Sequence, residues 1–341
     1  MKSLKLTLAA GVLVLVSLPL QAATAPIARI VAAANAFLAM LDDAQRKQVV
    51  YAFDDAAQRA RWSNLPVAMV SRGGISLKDM SAVQKAAAMK LVASTLSPAG
   101  FEKVQQIMEG DEINQQQSGA RRPEPMFGRD LFYISMLGTP SEKTPWMLQF
   151  GGHHLALNIT MAGERGTLTP TLTGAQPAIY KLGDRTVRPL KGESDKAIAL
   201  LKSLDDKQKS RAILSYRVAN LVLGPGEDGK TIPPEGLEAK GMSAHQRALL
   251  LDLIAEWTGI IEESAATTRM AEMKSDLDQT WFAWSGPVEV AAGSNVTAYY
   301  RIQGPHLVIE YAPQGGDPAM HIHTMYRDPT NDYGAKLLLK K

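Results

Sequence analysis

Five of the six histidines in this 341-residue chain fall where strands are predicted, and two of them are one residue apart. His321 and His323, in "MHIHTMYRDPTNDYG", alternate with Ile322, so a strand would point both imidazoles to one face, within reach of a single metal ion. In "HLVIEYA", His306, Val308 and Glu310 share one face and Leu307, Ile309 and Tyr311 the other. A carboxylate in an apolar strand is costly to bury alone, so Glu310 is expected to face a cation, an arginine or a metal. The Gly/Pro-rich stretch in "EYAPQGGDPAMHIH" reads as a hairpin that lays the Glu310 strand beside the histidine strand. His153 and His154, in "GGHHLALN", are adjacent, so only one can share that face unless Gly151-Gly152 forms a bulge. His154 is the better fit, with His153 or His306 as substitutes. The expected ligands are therefore His153 or His154 with Glu310, His321 and His323. Imidazole and carboxylate suit a divalent transition metal (zinc, iron, copper, manganese or nickel), and the absence of cysteine excludes thiolate and iron–sulfur centres. His245 lies in the polar part of a helix and reads as a surface residue.

With a metal there, the simplest chemistry is hydrolysis of a small-molecule substrate. The ion would lower the pKa of bound water, and Glu310 would serve as ligand or general base. Arg327 would steady an anionic intermediate, and Asp328 or Asp332 would orient a ligand imidazole. Arg301, in "YYRIQGP", is a second anion clamp, which gives Glu310, Arg327 and Asp328 as catalytic candidates and Arg301 and Arg327 as substrate-binding ones. Two rival readings stand beside this one: metal binding or handling without catalysis, and a metal-free ligand pocket with the histidines as polar lining. The plain alternatives are that the two strand histidines face a half-wet surface and that "RDPTNDYG" is turn chemistry. HExxH, GxSxG, a Walker loop and GxGxxG after a strand do not occur.

The elements that must position these residues recur along the chain. "GISLKDMSAVQKAAAMKLVA" from Gly74 resembles "GLEAKGMSAHQRALLLDLIA" from Gly236, "LDDAQRKQVV" resembles "LDDKQKSRAI", and "GHHLALN" resembles "GPHLVIE". One nearly constant offset predicts an internal duplication, with halves over 23–180 and 181–341 packed as one unit. In each half helices precede strands: Asp42 or Asp43 and Ser81 are candidate caps, and "DLFYISMLG", "WFAWSG" and "TAYYRIQG" read as strands. The predicted class is α+β, helical segments with antiparallel β portions. "NQQQSGARRPEP" (114–125) and "GPGEDGKTIPPEG" (224–236) read as loops. Residues 1–22 read as a signal peptide: Lys2 and Lys5, an apolar run shorter than the ~20 residues of a bilayer span, then "QAATA". The expected location is periplasmic or secreted, with no membrane attachment after cleavage. A formal charge of +3, which includes the two signal lysines, and the lack of a basic stripe argue against nucleic acid.

"RWSNLP", "LSPAGFEKV", "FYISMLGTPS", "GHHLALN" and "HIHTMYRDPTNDYG" together resemble the family known as domain of unknown function 3500, over nearly the whole chain after the signal peptide. The resemblance implies the architecture and carries no activity with it.

Overall fold

The computed structural model of the protein describes residues 25–118 and 125–337, so the signal-peptide reading of residues 1–22 lies outside the described part. Helix starts follow local chemistry. Reciprocal capping boxes, each a side chain on the N3 amide with Gln returning to the cap amide, begin Asp43–Val49, Ala82–Thr95, Asp206–Ala212 and Ala244–Thr258. The caps are joined in pairs: Gln84 donates to Gln45 at 2.7 Å, and Gln246 to Gln208 at 2.8 Å. Helix Pro26–Ala39 packs on Ala82–Thr95, and Lys191–Ser203 packs on Ala244–Thr258.

A 12-stranded sheet runs through both stretches of chain. Tyr133–Leu137, Trp146–Gly152, Leu155–Ala162 and Thr171–Ala175 pair antiparallel in that order. Trp281–Ser285, Tyr299–Gly304, Leu307–Pro313 and Ile322–Arg327 do the same. The two series meet where Thr171–Ala175 pairs antiparallel with Ile322–Arg327. Val50–Tyr51, pairing parallel, and Leu237–Glu238 close the edges. The fold is thus α+β around a mixed, mainly antiparallel sheet. The predicted hairpin is present, with Glu310 opposite Met325 and Ala312 opposite His323. Two elements depart from expectation. "TLTGA" (171–175) is a strand at the sheet centre, and residues 114–118 extend the helix Pro98–Ser118 rather than opening a loop.

Alternation sorts the side chains. One face carries Ile134, Leu148, Phe150, Leu157 and, further along, Phe282, Tyr300, Ile309 and Tyr311, all buried in the two cores that include the helices. The other face carries Gln149, Asn158, Glu310, Arg301, His323 and Arg327, and loops cover it: Trp62 and Leu221 pack on Ala156, Leu172 and Met325. Several of the polar groups buried under those loops pair with one another. Gln149 donates to Asn158 at 2.9 Å and accepts from Gln58 at 3.0 Å. Among the described residues no helix is long and apolar enough to cross a membrane.

Candidate metal centre

His153 and His154 form the two-residue turn between Trp146–Gly152 and Leu155–Ala162, where Gly152 pairs with Leu155. A turn, and not a bulge, resolves the problem of two adjacent histidines. His154 takes a left-handed backbone (φ 60°), uncommon for a side chain of its size, and its carbonyl accepts from Gly174 N at 2.7 Å. Gly174 lies opposite His323 in the central strand pair, so the turn is tied beside the histidine strand. The close approach requires glycine at this point: a Cβ on Gly174 would stand 2.8 Å from Ile322 O and 3.0 Å from His154 Cδ2.

The result is a triangle of ring nitrogens. His154 Nε2 lies 3.0 Å from His321 Nε2 and 3.1 Å from His323 Nε2, and the last two are 3.1 Å apart. Metal–imidazole bonds of about 2.0–2.1 Å place donor atoms ~3.3 Å apart in a tetrahedron and ~2.9 Å apart in an octahedron, and the observed edges fall between. His154 and His323 are buried and His321 is half-buried. Burial holds His154 well below the ordinary histidine value, helped by the neighbouring imidazoles. Burial, with His153 nearby, lowers His321 to about 4, and burial with His321 and His153 lowers His323 to about 3. All three rings are neutral at pH 7, which is the form that ligates.

Three neutral ring nitrogens in a triangle cannot satisfy one another by hydrogen bonding. A proton on one of them serves a single edge and leaves a lone pair against a lone pair elsewhere, whereas one cation serves all three. These three histidines could hold a metal ion on donor chemistry alone.

The supporting residues come from distant chain. Asn64 Nδ2 stands 3.3 Å from His323 Nδ1. For His323 Nε2 to ligate, Nδ1 must carry the proton and donate, which a half-turn of the Asn64 carboxamide provides by presenting its oxygen. Arg72 pins the Asn64 loop, donating to Ser63 O, Leu65 O and Gly152 O. Asn64→Leu is expected to weaken metal binding about tenfold, read by calorimetric titration, while Asn64→Asp retains it. His153 turns away from the triangle: its Nδ1 meets Asp111 Oδ1 at 2.5 Å, and its ring lies 3.6 Å from that of His154 and 4.8 Å from Phe127. Asp111 is buried, which pushes its carboxyl up, with the His153 hydrogen bond opposing, and its second oxygen accepts from Gly128 N at 3.0 Å. Asp111, His153 and His154 also form a group of possible ligands, but 2.5 Å is closer than two donors on one ion stand, so the Asp111–His153 contact reads as a hydrogen bond. Asp111, Asn64 and Gly174 were not among the sequence candidates; Asn64 lies in "RWSNLP", but no ligand spacing marks any of the three.

The structure places the remaining candidates elsewhere. Glu310 is fully buried on the loop-covered face and accepts from Val222 N (2.7 Å), Leu223 N (2.8 Å) and Tyr299 OH (2.7 Å). Its expected cation or metal is replaced by two backbone amides and a phenol, and it anchors the loop. Glu310→Ala is expected to cost about 3–5 kcal/mol in urea unfolding, three buried donors being orphaned at roughly 1–2 kcal/mol each. Arg327, expected to hold a substrate anion, has a fully engaged guanidinium: Leu223 O, Gly224 O, Asp228 and Asp332 accept from it at 2.7–2.9 Å. Asp328 pairs with Arg269 at 3.0 Å and accepts from Thr330, with no contact to a ligand imidazole. Arg301 pairs with Glu235 at 2.9 Å. His306 sits on the 304–307 turn and takes no part in the triangle. "RDPTNDYG" serves as a structural closure, since Tyr333 OH donates to Asp228 Oδ2 and accepts from Trp62 Nε1, both at 2.8 Å.

Residues 23–335 match a family model described as "Protein of unknown function (DUF3500)". No curated protein and no solved structure matches the chain.

Proposed function

This chain belongs to the DUF3500 family, and for it we propose an exported metalloprotein whose mononuclear three-histidine centre activates water for hydrolysis of a small-molecule substrate. The observation that carries the reading is the Nε2 triangle of His154, His321 and His323, with edges of 3.0–3.1 Å that no arrangement of protons satisfies. A bound divalent ion supplies Lewis acidity and lowers the pKa of its water toward neutrality. The chain's own contribution is to hold three neutral imidazoles on a rigid strand pair and a strained turn. Three protein ligands leave coordination positions for water and substrate, the pattern of catalytic and not structural sites. A donor set of imidazole alone favours zinc or copper over manganese. Export rests on the basic start, apolar run and small-residue site of residues 1–25.

A second reading, metal handling without catalysis, is favoured by one feature: half-exposed His321 gives the ion a route in and out without unfolding. The test is elemental analysis of untagged protein beside a His321→Ala/His323→Ala variant, followed by ester, amide and phosphoester assays with and without chelator. About one equivalent of metal lost in the variant, with chelator-sensitive turnover, supports the hydrolase. The same metal without turnover but with rapid exchange supports handling. Protein that stays metal-free after incubation with zinc and copper salts rejects both.

A further inference from the structure

A second histidine–aspartate pair lies beside the other series of strands. His306 occupies the 304–307 turn as His154 occupies the 152–155 turn, and Asp276, which ends the helix Glu263–Ser275, faces it. The two pairs differ in one respect. His153 and Asp111 are in direct contact, whereas His306 Nε2 and Asp276 Oδ2 stand 4.0 Å apart, beyond hydrogen-bond reach. Asp276 Oδ2 is buried without a hydrogen-bond partner.

The tautomer of His306 follows from its other side. Thr330 Oγ1 donates to Asp328 Oδ1 at 2.7 Å, a carboxylate already paired with Arg269, so the hydroxyl turns a lone pair toward His306 Nδ1 at 3.1 Å. Nδ1 therefore carries the ring proton and Nε2 is bare. Two acceptors, an imine nitrogen and a carboxylate oxygen, face each other in an open cavity lined by Arg269, Glu272, Asp276, His306, Asp328 and Lys336. Arg269 cannot serve them: it is committed to Tyr326 OH, Glu272, Asp328 and the His306 carbonyl.

We propose that His306 and Asp276 bind a second divalent transition-metal ion, more weakly than the triangle, with water completing its shell. Bonds of about 2.0–2.2 Å allow one ion to span donors up to ~4.2 Å apart, and a side chain 36% exposed, as His306 is, has room to close the angle. One imidazole and one carboxylate suit zinc, nickel or copper(II).

The experiment is titration with zinc and with copper(II) at neutral pH. In the His321→Ala/His323→Ala background one weak equivalent is expected to remain, and adding His306→Ala or Asp276→Asn weakens it at least about tenfold. Thr330→Val, which removes the acceptor that keeps the proton on Nδ1, gives a smaller loss. In the unaltered protein His306→Ala removes the weaker of two equivalents and leaves the tighter one, a comparison that stands even if the double variant fails to fold. A triangle-free protein that folds and takes up no metal, or a His306→Ala protein that still takes up both equivalents, overturns the proposal. An empty triangle with His306-dependent binding would reject the function proposed above and keep this site.

Discussion

His154→Asn is expected to lower metal affinity by more than about 100-fold, since changing even the residues that support a ligand costs about 10–100-fold. The choice of asparagine separates two effects. His154 holds a left-handed backbone, a conformation that asparagine tolerates and most residues do not. The variant thus loses the imidazole common to two edges of the triangle, at 3.0 and 3.1 Å, and keeps the turn. His154→Ala is expected to lose the metal equally and to be up to roughly 1–2 kcal/mol less stable than His154→Asn, because alanine bears the left-handed Cβ cost that asparagine offsets. Calorimetric titration and urea unfolding of the two variants read the terms apart. Affinity unchanged in His154→Asn would remove this residue from the centre.

The second large effect is a missing pH dependence. Three ordinary histidines, with pKa near 6.5, would lose metal affinity by about four orders of magnitude between pH 7 and pH 5, because each must shed a proton to ligate. Here burial lowers His321 to about 4 and His323 to about 3, and holds His154 well below its ordinary value. Affinity is therefore expected to stay nearly flat from pH 7 to 5 and to collapse below about pH 4. Stability of the metal-free protein behaves differently. The folded-state values lie below the unfolded value of about 6.5, so the unfolded chain binds more protons between them. The contribution of these rings is fully present above about pH 6.5 and declines as pH falls through 4 toward 3. Metal titrations and denaturant unfolding across pH 3–8 check both. A drop in affinity centred near pH 6.5 would show that the rings are solvated rather than buried.

Much of the arrangement was readable from residue types. Ser81 and Asp42 announce the helix starts they cap, because a side-chain oxygen and a glutamine three residues on serve amides within one turn. The i, i+2 spacing of His321 and His323 and the hairpin that joins their strand to that of Glu310 likewise depend on neighbours along the chain. The same local chemistry joins the capping boxes, Gln84 to Gln45 and Gln246 to Gln208.

The sequence by itself determined the α+β class, the hairpins and the family, and it brought His321 and His323 to one face, since period-2 alternation and capping are local. Only the tertiary structure shows how a third imidazole, that of His154, meets the pair. His154 reaches the pair because "TLTGA" inserts as a central strand and offers Gly174, a residue without a side chain, at the contact. It also decided against Glu310: a buried carboxylate must have donors, but the amides that supply them belong to residues 222 and 223, about ninety positions away in the chain, and no spacing rule encodes which distant loop will cover a face.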